Sequence, residues 1–250
     1  MMIKRFFYGG FVFACTALMT SCLGDPATNF TINNAAGVIE TNSAGDKVIY
    51  VKGGDAVSSD DFQSTTRADG ECILFDYSID MGSNENINDG EANGYLTATI
   101  YTNTMSEVSN WVTSSVLTDT TKVVPNEQTI STIQTRTAYI QDNLFIFTEM
   151  ANHSASAVDS FSLSFNPAQT LGDDKVYNLY LRSVSLDASA VGTSTMIVPV
   201  AFDMKSLVNS ASARSTDSEA LKFRINYLSG VGKDSTCVWK RTDVFTLGGD

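Results

Sequence analysis

Apolar and polar residues alternate with a period of two along most of this chain. Ile73, Phe75, Tyr77 and Ile79 alternate with Cys72, Leu74, Asp76 and Ser78, and Leu96, Ala98 and Ile100 alternate with Thr97, Thr99 and Tyr101. Phe161, Leu163 and Phe165 alternate with serines, while Leu221, Phe223, Ile225 and Tyr227 alternate with Lys222, Arg224 and Asn226. Val198, Val200 and Phe202 form another such face. Successive side chains of a strand point to opposite sides, so each run predicts a strand with one buried face, as in antiparallel sandwiches and barrels. The run LFIF at 144–147 is apolar on both faces and predicts a central strand. Residues 48–51 and 238–247 add further strands. Turn formers separate them at Gly53-Gly54-Asp55, Asn88-Asp89-Gly90, Gly172-Asp173-Asp174 and Gly230-Val231-Gly232. Helical spacing occurs at Met105, Val108, Trp111, Val112 and Val116, where a helix over 105–117 competes with an extended reading, because Thr, Ser and Val favour strands. Residues 205–209 suit a single helical turn. The fold class is all-β.

The segment TDTTKVVPNEQ at 118–128 is polar, carries Pro125 and follows the last strand of a first group. Linkers have this composition. It divides the chain into a smaller N-terminal β domain over 37–120 and a larger C-terminal one over 121–250, with one long β-sandwich as the alternative. No internal repeat is evident.

The N-terminus changes the picture. Lys4 and Arg5 precede an apolar run from Phe6 to Thr20, and Met19-Thr20-Ser21 leads directly to Cys22. A charged start, a short apolar stretch and small residues before a cut site describe a secretory signal peptide over 1–21. The ending resembles a bacterial lipobox, in which the cysteine is acylated and becomes the first residue of the mature protein. Cys22 is therefore the expected lipidation site. A transmembrane helix would need about 20 predominantly apolar residues, and this run is shorter and interrupted by Gly9 and Gly10. Cys15, preceded by Phe13 and Ala14, fits the lipobox less well. Residues 22–36, polar and Asn-rich, read as a flexible tether.

Removing residues 1–21 takes away Lys4 and Arg5 and moves the formal charge from −12 to −14. Such a chain is repelled by phosphates, which argues against nucleic acid as a partner. Cys72 and Cys237 lie far apart in strand-like runs and read as buried free thiols, although an oxidising compartment permits pairing. His153 is the single histidine and lies in the polar stretch MANHSAS, so it reads as a surface loop residue. Alone it completes no Ser-His-Asp set. The chain has no GxSxG, HExxH or CxxC pattern and no phosphate-binding glycine loop. These readings predict a protein that is not an enzyme and has no cofactor and no metal. The loop DMGSNENINDGE at 80–91 is rich in oxygen ligands but misses the EF-hand spacing. Trp111 and Trp239 are core residues or, if exposed, platforms for sugar rings. Asp119-Thr120-Thr121 and Asp234-Ser235-Thr236 resemble the Asp-Ser/Thr-X signal for O-glycosylation in Bacteroidota.

The order of features resembles the NigD-like lipoproteins of Bacteroidota. The likeness rests on Cys22 with Leu23-Gly24-Asp25 after it, the strand GECILFDYSI at 70–79, YIQDNLFIF at 139–147, VAFDMKSL at 200–207, and the strand at 221–227 followed by a closing strand. It implies a small N-terminal OB-like barrel followed by a C-terminal antiparallel β-sandwich, with no catalytic residue to carry over. The family name comes from a bacteriocin-associated operon and implies an immunity or envelope role. The expected function is a non-catalytic, lipid-anchored protein of the outer membrane, on its periplasmic face or the cell surface. Its partner would be a protein or a glycan. The alternatives are a fimbrillin-type adhesin or pilus subunit, with Arg67 as a processing site, and a glycan-binding surface lipoprotein of a polysaccharide-uptake system.

Overall fold

A computed structural model describes residues 28–88, 93–187, 192–214 and 220–247. The first unit is a closed barrel in the order β1-β2-β3-β5-β4. Its strands are β1 (Asn29–Thr41), β2 (Lys47–Val51), β3 (Ala56–Ser58), β4 (Cys72–Asp80) and β5 (Leu96–Glu107). Ile39, Ile49, Val57, Ile73, Phe75, Tyr77 and Ile79 fill its interior. The short helix α1 (Asp60–Gln63) between β3 and β4 adds Phe62, which is buried in the same core. Ser59 caps this helix by accepting the Phe62 N–H. A second short helix, α2 (Asn84–Asn88), stands between β4 and β5.

The barrel strand β1 includes residues 29–36, which were expected to belong to the tether. Their alternation is broken by a bulge between Ile32 and Ala35, where Asn34 has φ 57. Asparagine tolerates that left-handed conformation. Asp76 on β4 accepts the Asn34 N–H at 2.6 Å and donates its own N–H to Thr104 Oγ1 at 3.0 Å. Register shifts in β1 and β5 thus face each other across Asp76, and paired bulges bend strands toward closure.

The second unit is a two-sheet sandwich. One sheet contains β6 (Asn110–Val112), β8 (Thr132–Ile133), β10 (Asn143–His153) and β13 (Ser194–Asp203), in the order β6-β13-β10-β8, with β9 (Ala138–Ile140) also paired to β10. The other follows β11-β12-β14-β15, formed by β11 (Asp159–Phe165), β12 (Val176–Ser185), β14 (Leu221–Val231) and β15 (Cys237–Arg241). Here β7 (Glu127–Gln128) pairs with β12 and β16 (Phe245–Leu247) with β14. Most ladders are antiparallel, but β12–β14 and β6–β13 are parallel. Residues 105–117 are extended rather than helical. β6 joins β13, and Ser114 then bridges Ser164 on β11, so one short segment stitches the two sheets together. The helix α3 (Lys205–Arg214) is longer than the single expected turn. Met204 and Leu207 enter the sandwich core and Val208 and Ala211 pack beside them, so tertiary burial extends it.

The run at 144–147 explains how the units meet. Leu144 and Ile146 point into the sandwich core with Phe161, Leu163, Leu179 and Phe202. Phe145 and Phe147 point the other way, to Val38, Cys72, Leu74 and Ala138. The sheet carrying β10 is therefore the middle layer, with the barrel on one side and the second sheet on the other. Full burial of one such aromatic side chain contributes about 1.5–3 kcal/mol.

Candidate ligand-binding face

The outer sheet of the sandwich buries its odd-numbered side chains, among them Tyr177, Leu179, Leu181, Phe223, Ile225 and Tyr227. Period two then puts the even-numbered ones on the opposite face. The ladder registers align them into a row across four strands. Ser164 is opposite Tyr180, Tyr180 is beside Asn226, and Asn226 is opposite Arg241. Asn178 and Arg224 form the neighbouring pair. Leu228, opposite Trp239 in the register, is fully buried and bounds the face on the other side. Tyr180 and Trp239 meet edge to face, ring centroids 5.2 Å apart at 83°. Both are half-buried, as are Asn178 and Asn226, and Arg241 is exposed. Asn226 Nδ2 donates to the Leu179 carbonyl at 3.0 Å, which fixes the amide in place.

The segment expected as a linker forms the border of this face. Cys237 N–H donates to the Thr121 carbonyl, Val123 N–H to the Ser235 carbonyl, and Ser185 N–H to the Asn126 carbonyl. Trp239 Nε1 donates to the Thr120 carbonyl at 2.9 Å, which holds the indole against the strap. Arg182 locks the arrangement. Its Nη2 donates to the Lys122 carbonyl at 2.9 Å and to Cys237 Sγ at 3.2 Å. Its Nε stands 3.1 Å from Glu127 Oε1, an ionic contact that does not meet hydrogen-bond geometry. Both side chains are almost fully enclosed. The two Asp-Ser/Thr-X triplets lie side by side here, joined by the Lys122–Thr236 bridge. Asp119 accepts from both the N–H and the hydroxyl of Thr121, which holds its carboxyl below the usual range.

The other residues singled out by sequence have different fates. Cys22 and residues 1–21, the expected signal peptide, lie outside the described residues. Cys72 is a buried free thiol in the contact between barrel and sandwich, and burial pushes its pKa up to about 12. Cys237 is free and half-exposed; partial burial raises its pKa against the opposing pull of Arg182. Trp111 packs against the sandwich core. His153 is not a surface loop residue. It is the last residue of β10, 7% exposed, with Nε2 2.5 Å from Asp159 Oδ2 on β11. The pair ties the ends of the two sheets together, and Asn152 at φ 55 turns the chain to allow it. The partner is six residues away across a turn, a spacing with no signature. Among the described residues His153 Nδ1 has no hydrogen-bond partner. In the 80–91 loop, Asp80 accepts the Gly82 N–H and Asn86 bonds the Asp80 and Thr97 carbonyls, so these groups serve the turn. Among the described residues no group of three metal-ligating side chains converges. The cross-strand row itself escaped the sequence reading, because it depends on registers between distant strands. The signal available was the set of outward residues in LKFRINY at 221–227.

Comparison with known proteins places this geometry in context. Residues 27–105 match the family described as the lipoprotein OB domain. No curated protein matches the chain. A crystal structure of an uncharacterized protein from Parabacteroides merdae is similar at 17% identity and a TM-score of 0.72, covering 87% of this chain and 98% of its own. A candidate lipoprotein from Bacteroides fragilis is similar at 11% identity and a TM-score of 0.56, covering 88% and 96%. A NigD-like immunity protein from Bacteroides caccae also matches, at 13% identity and a TM-score of 0.49, covering 83% and 90%. The OB-like barrel expected from the NigD-like resemblance is present, and the all-β architecture extends through the whole described chain. None of these descriptions names an enzyme.

Proposed function

We propose that this chain, with its lipoprotein OB domain over residues 27–105, is a non-catalytic, lipid-anchored protein of the outer membrane. In this reading Cys22 carries the lipid and the outer sheet of the sandwich holds a partner. The observation that carries it is the cross-strand row Tyr180–Asn226–Arg241, a partly accessible aromatic and hydrogen-bonding surface on a rigid sheet, bordered by the buried Ser164. Sites on sheets hold their groups more firmly than sites on loops. Binding at the barrel is less well supported. OB folds bind oligonucleotides and oligosaccharides with the face of their second and third strands, yet here β3 is only three residues long and wholly buried, and Tyr50 of β2 packs against the sandwich. A pilus role through cleavage at Arg67 fares worse, because that cut would separate β1–β3 from β4 and β5 of one closed barrel.

The anchor is tested by expressing the full chain and Cys22→Ala in a Bacteroides host, with radiolabelled palmitate and membrane fractionation. The native chain incorporates label and sediments with outer membranes, and Cys22→Ala does neither. Equal membrane association of both, without label in either, contradicts lipidation.

A further inference from the structure

We infer that the outer sheet of the sandwich is a binding site for an acidic saccharide, one whose rings carry carboxylates. The inference rests on the reading above, that this face holds a partner, and adds the chemistry of that partner.

Charge is the first ground. Residues 28–118 hold thirteen acidic residues and three basic ones, whereas residues 221–247 hold five basic and two acidic. The basic residues are also chemically available. Lys222 and Arg241 are exposed on the outward face of β14 and β15, and Lys122 and Lys233 are exposed at the adjoining strap and turn, whereas Lys240, opposite Tyr227, is on the other face of β15. None of these four outer cations forms an ion pair with a described residue. Lys47, Arg67, Lys205, Arg182 and Arg224 all do, and Lys52 and Arg136, which likewise pair with no described residue, lie apart from this face, after β2 and between β8 and β9. A cluster of cations without an ion pair among the described residues, on a strongly acidic molecule, concentrates the positive potential at one edge. An anionic ligand is steered there and repelled elsewhere.

The second ground is shape and hydrogen bonding, which separates a sugar from a bare anion or a polyacidic peptide. The cations adjoin aromatic rings, since Arg241 is two residues from Trp239 along β15 and shares its row with Tyr180. Aromatic rings offer flat apolar surface with a polar edge, which fits the two-sided character of a pyranose ring. Between the rings and the arginine stands Asn226, whose amide is fixed by the Leu179 carbonyl and the Asn178 side chain. A planar guanidinium matches a carboxylate in a two-point contact. Because the two rings stand at 83°, one of Tyr180 and Trp239 supplies the stacking face and the other borders it, with Asn226 as the hydroxyl partner and Arg241 as the carboxylate partner.

The test uses the full chain in detergent and isothermal titration at low and at physiological salt. The probes are oligomers of galacturonate, hyaluronan and alginate, the methyl ester of the galacturonate oligomer, maltoheptaose and poly-glutamate. The inference expects at least one acidic oligosaccharide to bind with strong salt dependence. The methyl ester, which keeps the ring and removes the charge, and maltoheptaose should bind at least tenfold more weakly. Arg241→Gln, an exposed edge substitution, should lose about tenfold in affinity, and Tyr180→Ala should lose a similar amount, with unchanged circular dichroism confirming that both fold. Binding of poly-glutamate alone overturns the saccharide and points to a protein partner. Equal binding of ester and acid overturns the role of charge, and no binding by any acidic oligosaccharide overturns the proposal. Palmitate labelling of the same preparation reports on the anchor separately, so its failure and the failure of the saccharide site are distinguishable.

Discussion

The barrel and the outer sheet of the sandwich are both made of alternating strands, yet they use their outward side chains in opposite ways. The barrel turns Val38, Cys72 and Leu74 outward and buries them against Phe145 and Phe147 of the neighbouring sheet. Its accessible surface is acidic, and its few cations are largely paired. The outer sheet turns Tyr180, Asn226 and Arg241 outward and leaves them at least partly accessible, with cations at its edge that pair with no described residue. One surface has become part of the core and the other is open to a partner. The same period-two pattern therefore encodes architecture in one place and recognition in another, and the chemistry of the outward residues separates them.

The largest effect should come from breaking the contact between the two regions. Phe145 is fully buried there, and Phe145→Ala should cost about 3–5 kcal/mol through lost burial and the cavity left behind. Calorimetry should show a melting temperature lowered by about 10 °C. A single transition in the native protein that splits in two in the variant would show that this contact couples the units. A smaller effect is expected inside the barrel. A Cβ at Gly37 would lie 2.5 Å from Ile49 Cγ2 and 2.9 Å from Phe75 Cε1. Gly37→Ala should therefore destabilise by about 1–3 kcal/mol through overpacking, read by chemical denaturation. Arg241→Gln on the outer sheet should leave stability within about 0.5 kcal/mol. The last effect is on pH dependence. The folded Cys72 thiol holds its proton up to about 12, whereas the unfolded one releases it near its ordinary value of 9.0. The unfolded state binds fewer protons in that interval, so stability should fall as pH rises above 9. Cys72→Ala should flatten this slope in denaturation curves measured between pH 8 and 10.

Much of the architecture was legible in the chain. Every long alternating run became a strand, and the double-sided run at 144–147 marked the middle layer. The first strand was hidden because Asn33 and Asn34 interrupt its alternation at a bulge. The strap at 118–128 looked like a linker because its polar backbone bonds and the Glu127–Arg182 pair, not apolar side chains, hold it to the sheet. The buried His153–Asp159 pair was invisible for a similar reason: a polar residue flanked by polar neighbours carries no sign of burial until its partner is known. Of the candidate face, Trp239 was singled out early, but Tyr180, Asn226 and Arg241 become neighbours only through strand register.

The claim that recognition belongs to the outer sheet and not to the barrel is tested most directly by hydrogen–deuterium exchange. The full chain would be compared with and without a saturating acidic oligosaccharide. The account predicts slowed exchange at β14 and β15, residues 221–231 and 237–241, with exchange at β2 and β3, residues 47–51 and 56–58, unchanged. Protection confined to β2, β3 and the barrel loops, with β14 and β15 unaffected, would contradict it.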